Sequence, residues 1–312
     1  MLPARYRKPQ YAFYPARIVA RVVKGHVAER DPARIAEATL PWGMPISLRP
    51  GEAIGHSVMA TGIFDHVVSE ALYRLTDAGD VAVDVGANIG YMTSLMVEAV
   101  GRRGRVVAIE PNPDAYALLV ANAARWRSRP GAPVIETHSL AMSDHGGSAA
   151  LRVPALYARN QGRASIEYDE GEGGSDPWHA MATVQVRRLD DLIGDGRVGV
   201  LKIDVEGHET GVLRGAEGLL AERRVRDVVF EHEPGRSGDP RSLLERRGYT
   251  VLALNSSVFR LVVGSPDECP PWEGWEGPSY LATIAPDRAL SRLRKRGWAL
   301  PGIRWGSAVR PR

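Results

Sequence analysis

A short, largely apolar run that ends in a glycine turn restricts the fold of this 312-residue chain more than any other feature. Val81–Val85 has the composition of a strand buried on both faces of a parallel sheet. Gly86 and Gly90 follow it, and glycine lets the backbone turn sharply before a helix begins. A second buried strand, Arg105–Ile109, ends in Glu110. This order of strand, glycine turn, helix, strand and acid predicts a nucleoside-binding α/β sheet.

The polar residues of the turn indicate which cofactor it suits. A dinucleotide site usually reads Gly-x-Gly-x-x-Gly, because a pyrophosphate must lie against bare backbone at the helix N-terminus. Here Asp84 stands where the first glycine would be, and Asn88 lies inside the turn. An acid repels a pyrophosphate but suits the ammonium and sulfonium groups of S-adenosylmethionine. An ordinary strand-to-helix turn is the structural alternative, and the spacing of Glu110 for a ribose makes it the weaker one.

Ligands of such sheets bind in a crevice at the carboxyl ends of the strands, so each residue there can be matched to a part of the cofactor. The backbone of Gly86 and Asn88 is predicted to hold the methionine portion, Glu110 the ribose, and Asn112 the ribose or the adenine. The loop at residues 141–144 is predicted to hold adenine by backbone groups and an apolar side chain. The predicted cofactor-binding residues are Asp84, Gly86, Asn88, Gly90, Glu110, Asn112, Ala141 and Met142.

A third segment carries a family resemblance. Leu201–Thr210 (LKIDVEGHET) is again a buried strand that runs into a turn rich in ionisable groups. Together with the glycine turn and with Val228–Pro234 (VVFEHEP), it resembles the FkbM family of S-adenosylmethionine-dependent methyltransferases. The string Lys202–Glu209 is the specific marker. The resemblance implies methyl transfer, usually to a hydroxyl of a natural product, sugar or lipid.

The alternation of strands and helices predicts a Rossmann-like class I methyltransferase fold: α/β, with a doubly wound, mostly parallel seven-stranded sheet. The predicted strands are Val81–Val85, Arg105–Ile109, Val134–Ala141, Leu201–Val205, Val228–Glu231, Thr250–Leu254 and an antiparallel Tyr280–Ile284. The predicted helices are His66–Leu75, Tyr91–Ala99, Pro113–Trp126, Thr210–Glu222 and Pro240–Arg247.

Three regions are expected along the chain. Residues 1–68 form an N-terminal extension that covers substrate or cofactor, with a hairpin in Met44–Ile54. Residues 69–285 form the catalytic domain, and residues 286–312 form a basic tail. A β-rich insertion at residues 145–188 is too long for a plain connection, so it is predicted to be a substrate-facing cap or lid.

Charge is concentrated at the two ends of the chain. Residues 1–35 carry eight Lys or Arg against two acids, and residues 288–312 carry eight with no acid. Such ends suit an anionic lipid surface, nucleic acid or an acidic partner, with solvated terminal helices as the alternative. Leu290 and Leu293 suggest a small lipid-facing side on the C-terminal helix. An RNA methyltransferase is the corresponding minor hypothesis.

Targeting signals and cysteines give limited information about the location and the covalent structure of the protein. The sequence has no run of ~20 apolar residues and no recognisable signal peptide, so a cytoplasmic protein is expected. The single cysteine, Cys269, excludes an internal disulfide.

The ends of the fourth and fifth strands carry the candidate catalytic groups. Methyl transfer needs the acceptor oxygen aligned with the methyl carbon and sulfur, and it needs the acceptor proton removed. Asp204, Glu206, His208 and Glu231 are predicted to be catalytic. His208 has an unperturbed pKa that suits a base at neutral pH, with a surface residue as the equal alternative. Lys202 is predicted to bind substrate, with an internal ion pair to Asp204 as the structural alternative.

Further substrate and metal hypotheses stay open. Asn160 and Ser165 in the insertion are predicted to bind substrate hydroxyls, although a polar turn is the slightly favoured alternative. A Mg²⁺ ion between Asp204 and Glu231, as in catechol-type methyltransferases, is disfavoured because Gly207 stands where those enzymes have a lysine. An N-methyltransferase is the main alternative activity. It would usually carry Asn/Asp-Pro-Pro-Tyr/Phe where this chain has Asp-Val-Glu-Gly.

Overall fold

The computed structural model describes residues 34–154, 178–232, 238–257, 260–268 and 278–302. Within these ranges, the core is a mixed sheet of eight strands with helices on both faces. In chain order the strands are β1 (Ala36–Thr39), β2 (Pro45–Leu48), β3 (Val81–Val85), β4 (Arg105–Ile109), β5 (Val134–His138), β6 (Ala141–Met142), β7 (Gly147–Pro154), β8 (Trp178–Arg187), β9 (Val198–Ile203), β10 (Val225–Glu231), β11 (Thr250–Ser257), β12 (Arg260–Gly264) and β13 (Ser279–Thr283). The helices are α1 (Ala53–Thr61), α2 (His66–Leu75), α3 (Tyr91–Val100), α4 (Pro113–Arg127), α5 (Leu189–Ile193), α6 (Glu209–Arg214), α7 (Glu217–Ala221), α8 (Pro240–Arg246) and α9 (Pro286–Leu293).

The main sheet has the strand order β12-β11-β13-β10-β9-β3-β4-β5. The strands from β10 to β5 run parallel, and β13 lies antiparallel between β10 and β11. The chain moves outward from β3 to β5 and then returns to place β9 on the other side of β3. In such a sheet, ligands bind outside the carboxyl ends of the strands where the order reverses. The predicted fold class is therefore confirmed, and β12 adds an edge strand to the seven predicted.

The apolar sequence of β3 follows from its position in the middle of the sheet. Ala82 belongs to one core with α2, α3 and α4, whereas Val83 and Val85 belong to a second core on the opposite face. Side chains alternate along a strand, so a strand covered on both faces needs apolar residues at successive positions. Each such fully buried valine contributes roughly 1.5–3 kcal/mol relative to an exposed one.

The hairpin predicted in Met44–Ile54 is wrong in its position. Strand β2 pairs antiparallel with the upstream strand β1, and the chain turns at residues 40–43, where Gly43 has a φ of 80°. The sequence at residues 50–51, which suggested the turn, leads into α1 instead. The true partner of β2 thus lies before the segment that local turn signals indicated.

A contact from distant sequence fixes this hairpin over the glycine turn. The side-chain oxygen of Asn122, on α4, accepts a hydrogen bond from Ser47 N (2.7 Å). Its amide nitrogen donates to Ser47 O (3.0 Å) and to Ile89 O (2.9 Å). One buried amide therefore joins β2, α4 and the turn after β3.

The third predicted strand is shorter than expected. It ends at His138, and Ala141–Met142 pairs instead with the end of β8 in a separate three-stranded sheet. The insertion contributes the antiparallel pair β7 and β8 to this sheet. The candidate residues Asn160 and Ser165 lie outside the described residues.

The helix predicted over Thr210–Glu222 is divided into α6 and α7. The division falls at Gly215, whose backbone lies against the loop after β6. A Cβ atom there would lie 1.9 Å from the carbonyl oxygen of Ser143. Gly215 therefore permits a backbone contact that a continuous helix with larger side chains would prevent.

A buried ion pair on α2 holds the C-terminal segment to the core. Glu70 Oε1 lies 2.5 Å from Arg74 Nε, and both side chains are almost fully buried. Arg74 donates to carbonyl oxygens within residues 292–297, and Glu70 accepts from the backbone N–H groups of residues 299 and 300. The segment after α9 is thus fixed through its backbone.

The prediction that Leu290 and Leu293 form a lipid-facing side is wrong. Leu293 is fully buried in the core that contains α2. Arg288 and Arg292 form ion pairs with Asp77 at 2.5 and 2.6 Å, so the basic face of α9 also packs onto the protein. In no described segment does a helix have the length and apolar content that a membrane span requires.

His66, at the start of α2, makes the core sensitive to acid. Its ring is almost fully buried and stacks on Trp298 with ring centroids 3.8 Å apart. Burial lowers the pKa of His66 to about 4, from 6.5 for an ordinary histidine. Because the unfolded chain binds the proton more tightly between these values, we expect stability to be lost as pH falls from about 6.5 towards 4, by up to ~3 kcal/mol.

The substitution His66→Phe keeps a ring against Trp298 and is expected to reduce this loss. Urea unfolding of both proteins at about pH 7.5 and about pH 5 measures the free energy of unfolding. Equal losses in the two proteins would contradict the role given to His66.

Candidate functional site

Two turns meet at the point where the strand order reverses. One follows β3, and the other follows β9. A Cβ atom on Gly86 (φ 78°) would lie 1.8 Å from Asp204 O, so only glycine allows this approach. Asp204 N in turn donates to Val85 O (3.1 Å). The glycine turn and the acidic turn therefore adjoin each other at the crevice that this fold has outside its strand ends.

Lys202 lies beneath both turns. Its ammonium donates to Gly86 O (2.9 Å) and lies 3.2 Å from Asp84 Oδ1 and 3.4 Å from Asp204 Oδ2. Burial alone would lower the pKa of Lys202, but the two carboxylates outweigh it and raise that pKa above its usual value. The lysine is 4% exposed. Its predicted role as a substrate ligand is therefore not supported, and the internal ion pair is the arrangement found.

Glu110 closes the crevice on the side of β4. Its Oε2 accepts from Asn88 N (2.7 Å) and its Oε1 accepts from Asn112 N (2.8 Å). Asn112 also caps α4 by accepting from Asp114 N (3.0 Å). Burial is the largest influence on Glu110 and raises its pKa to about 7, although the two N–H donors and Lys202 oppose that rise.

The backbone groups that were predicted to hold methionine take part in the fold itself. Gly86 N donates to Ile109 O (3.0 Å), and Asn88 N is the donor to Glu110. The backbone at Asn88 has a φ of 51°, in the left-handed region that residues other than glycine rarely adopt. These two N–H groups shape the turn rather than point into the crevice.

Asp84 and Gly90 also act from below the crevice. Asp84 is fully buried, and its Oδ2 accepts a hydrogen bond from Thr93 Oγ1 (2.6 Å) while Lys202 balances its charge. Gly90 precedes α3 at a φ of 90°, and a Cβ atom there would lie 2.8 Å from the ring of Trp126. Both residues support the turn, and the sequence prediction of direct cofactor contact by Asp84 is not supported.

Glu209 is a site residue that sequence reasoning missed. Its Oε1 accepts from Gly207 N (3.0 Å) and more weakly from Val205 N (3.4 Å), within the turn after β9. Glu206 lies inside that turn at a φ of 55°. Burial raises the pKa of Glu209 to about 7. The available signal was its place at the end of the string that carries the family resemblance.

The predicted catalytic acids emerge side by side. Ile203 of β9 is paired with Phe230 of β10, so the residues that follow, Asp204 and Glu231, leave neighbouring strands at the same level. The Asp204 side chain is 36% exposed although Lys202 holds it from below. Glu231 is half-buried, as is Glu206. Across the described ranges, no group of three or more His, Cys, Asp or Glu side chains is arranged to hold a metal ion.

The loop predicted to hold adenine lies at the third side of the crevice. Ala141 and Met142 are buried in β6, and Met142 packs into the core beside β3 and β4. Ser143 follows them and is also buried, whereas the Asp144 side chain is 42% exposed. The Nε2 atom of His208, predicted to be a base, lies 2.9 Å from Ser143 Oγ.

This fold and crevice define a class I S-adenosylmethionine-dependent methyltransferase. The family model described as the methyltransferase FkbM domain matches residues 84–251, from the buried acid of β3 into β11. The chain therefore belongs to the FkbM methyltransferase family. The family resemblance predicted from Lys202–Glu209 is confirmed.

Two curated relatives and one solved structure are similar to this chain. The 31-O-demethyl-FK506 methyltransferase FkbM of Streptomyces tacrolimicus is 33% identical over 207 residues, which cover 58% of this chain and 76% of the relative. The hexuronic acid methyltransferase AglP of Haloferax volcanii is 30% identical over 171 residues, which cover 54% of this chain and 62% of the relative. The structure of methyltransferase FkbM from Methylobacillus flagellatus gives a TM-score of 0.44 at 19% identity, covering 66% of this chain and 44% of that one.

The ribose side of the crevice fits S-adenosylmethionine. Each oxygen of Glu110 accepts one backbone N–H, so each keeps acceptor capacity for a ribose hydroxyl. Hydroxyl donors favour the ionised carboxylate, which burial disfavours in the free protein. Binding should therefore lower the pKa of Glu110 and release a proton.

We expect the affinity for S-adenosylhomocysteine to fall as pH falls from about 8 to about 6, by up to ~10-fold. The sign follows from the raised pKa of about 7, because at lower pH the protonated carboxyl must first lose its proton. Calorimetric titration across this range tests the expectation, and Glu110→Gln serves as the control with no pH dependence from this group. A flat profile for the wild type would contradict it.

Proposed function

We propose that the protein is an O-methyltransferase that acts on a hydroxyl of a natural product, sugar or lipid-linked glycan. The observation that carries the proposal is the position of Asp204, a partly exposed carboxylate whose backbone contacts the glycine turn. The names of the relatives support it, since one is a 31-O-demethyl-FK506 methyltransferase and another a hexuronic acid methyltransferase. We further propose a cytoplasmic enzyme of secondary metabolism.

The carboxylates of the crevice suit an enzyme that aligns an acceptor hydroxyl with the methyl group and removes the proton of that hydroxyl. S-adenosylmethionine supplies a methyl group on a positively charged sulfur. Asp204 would accept the proton of the acceptor hydroxyl while that oxygen bonds to the methyl carbon and the carbon–sulfur bond breaks, which leaves S-adenosylhomocysteine. Glu206 and Glu231 would accept hydrogen bonds from neighbouring hydroxyls. Base assistance of this kind contributes ~10²–10⁴ in rate, and alignment contributes more. Lys202 holds Asp204 at a fixed distance from the glycine turn.

The alternatives are less well supported. An N-methyltransferase would need a group that accepts an amine hydrogen, and the Asp204–Gly207 turn lacks the prolines and aromatic residue usual for that task. An RNA methyltransferase would use the basic ends of the chain, of which Arg288 and Arg292 are paired with Asp77. Arg294, Lys295 and Arg296 are exposed. Salt-sensitive RNA binding by the full-length chain would favour this second alternative.

Calorimetric titration with S-adenosylhomocysteine tests the cofactor, with NAD as a comparison ligand. We expect binding to the wild type that Glu110→Ala weakens by at least ~10-fold, since two ribose contacts would be lost. Transfer from labelled S-adenosylmethionine is then compared between matched hydroxyl and amine acceptors, with and without EDTA. Binding of NAD alone would refute the proposal, transfer to amines alone would favour the N-methyl alternative, and loss of transfer in EDTA would favour the Mg²⁺ hypothesis.

A further inference from the structure

We propose that His208 is a positioning residue that fixes the adenine loop, residues 141–144, to the turn that carries the acceptor-side acids. The proposal rests on the cofactor assignment made above. The bond that joins His208 Nε2 to Ser143 Oγ is 2.9 Å long and links residues 65 positions apart in the chain. It replaces the role of base predicted for His208, because Nε2 is directed at the serine.

The neighbouring residues hold the backbone of His208 in place and leave space for its ring. Its carbonyl oxygen accepts from Val212 N (3.1 Å) at the start of α6, which fixes its backbone. Gly211 leaves room for the ring, since a Cβ atom there would lie 2.3 Å from Nε2. Any side chain at Gly211 would push the imidazole away from Ser143.

Ser143 is fixed from its other side. Its N–H donates to Arg187 O (3.0 Å), and Gly215 allows α6 to approach its carbonyl oxygen. The serine is fully buried. Water therefore cannot replace His208 as a hydrogen-bond partner of its hydroxyl. Its Oγ also lies 3.3 Å from Asp144 Oδ1. Asp144 Oδ1 also lies 2.8 Å from His145 Nδ1, which is 3.4 Å from Ser143 Oγ. The bond to His208 therefore joins a hydrogen-bonded group of three loop side chains to the turn after β9.

One bond thus couples two parts of the crevice. Asp204, Glu206 and His208 belong to the same turn after β9, whereas Ser143 and Asp144 belong to the loop after β6. A shift of the acidic turn would move the adenine loop, and a loosened adenine loop would bind the nucleoside less well. The effect should appear in cofactor binding, before any acceptor is present.

The test uses adenosine and S-adenosylhomocysteine as probes with four variants: Ser143→Ala, His208→Ala, the double variant and His208→Gln. We expect each alanine variant to bind both probes about 10-fold more weakly. The double variant should be no weaker than either single variant, because all three remove the same bond. His208→Gln should recover affinity to within ~3-fold, since the glutamine amide can reach the position of Nε2. Asp195→Asn, at an exposed acid that precedes β9 and so lies at the opposite end of the strands, is the control.

The outcomes separate this inference from the cofactor assignment. If the wild type binds the probes and the alanine variants bind equally well, even with lower melting temperatures, the positioning role is refuted while the cofactor assignment stands. If the losses add in the double variant, or if glutamine gives no recovery, the bond is not the cause and the role is likewise refuted. If the wild type binds neither probe, both the cofactor assignment and this inference fall.

Discussion

Replacement of Asp204 by asparagine is expected to lower the rate of methyl transfer by about 10²–10⁴, the usual contribution of a general base. The amide keeps the size of the side chain and cannot take a proton from the acceptor hydroxyl. Binding of S-adenosylhomocysteine should change by less than ~3-fold, because Glu110 and the glycine turn are untouched. The measurements are transfer from labelled S-adenosylmethionine to a hydroxyl acceptor that the wild type methylates and calorimetric titration of the same preparations.

Two controls make this prediction specific. Asp195→Asn removes an exposed acid that precedes β9 and so lies at the opposite edge of the sheet, and it should leave transfer unchanged. Glu206→Gln should lower the rate less than the Asp204 variant, because Glu206 is assigned to orientation. A full rate in Asp204→Asn, or equal losses in all three variants, would contradict the role of base.

Local sequence predicted the parts of the fold that are decided locally. The strands β3 and β4 have the predicted bounds, because each is a largely apolar run that ends at a glycine or an acid. The hairpin of β1 and β2 was misplaced because its position depends on Asn122, 75 residues from Ser47. The helix after β9 was predicted as one piece because nothing in its own sequence reveals that Ser143 packs against Gly215.

In the candidate site, too, features decided by local sequence were predicted and features decided by distant contacts were not. Glu110 was found from its spacing, and its burial and hydrogen bonds agree with a place at the ribose. Lys202 was misassigned because its contact with Gly86 O spans 116 residues and leaves no local pattern. Asp84 was read as facing the cofactor, although its charge is balanced from within by that lysine. Sequence spacing indicated the candidate site, but only the packing shows which charges are balanced inside the fold.

The two halves of the crevice are built in the same way. In each, a buried glutamate accepts backbone N–H groups from a turn that holds a non-glycine residue at positive φ. Glu110 does this for Asn88, and Glu209 does it for the turn that contains Glu206. Such conformations cost ~1–3 kcal/mol and persist only where the surroundings enforce them. After both adjoining strands, therefore, a buried glutamate stabilises a turn conformation that the backbone would otherwise disfavour.

Loss of the Lys202 ammonium is expected to destabilise the protein by about 3–5 kcal/mol, the range for removing one partner of a buried ion pair. In Lys202→Met, Asp84 would keep its hydrogen bond from Thr93 but would have no cation in contact while fully buried. Gly86 O would also lose its donor. The free energy of unfolding in urea measures the effect.

The double variant Asp84→Asn/Lys202→Met is the decisive comparison. Asparagine retains an oxygen for Thr93 and carries no charge, so the double variant should recover at least half of the lost stability. Glu98→Gln, a substitution at the exposed position of the otherwise largely buried helix α3, should change stability by less than ~0.5 kcal/mol. If Lys202→Met alone is as stable as the wild type, the lysine does not neutralise Asp84. If the double variant is less stable than Lys202→Met, the charge on Asp84 is not the source of the loss.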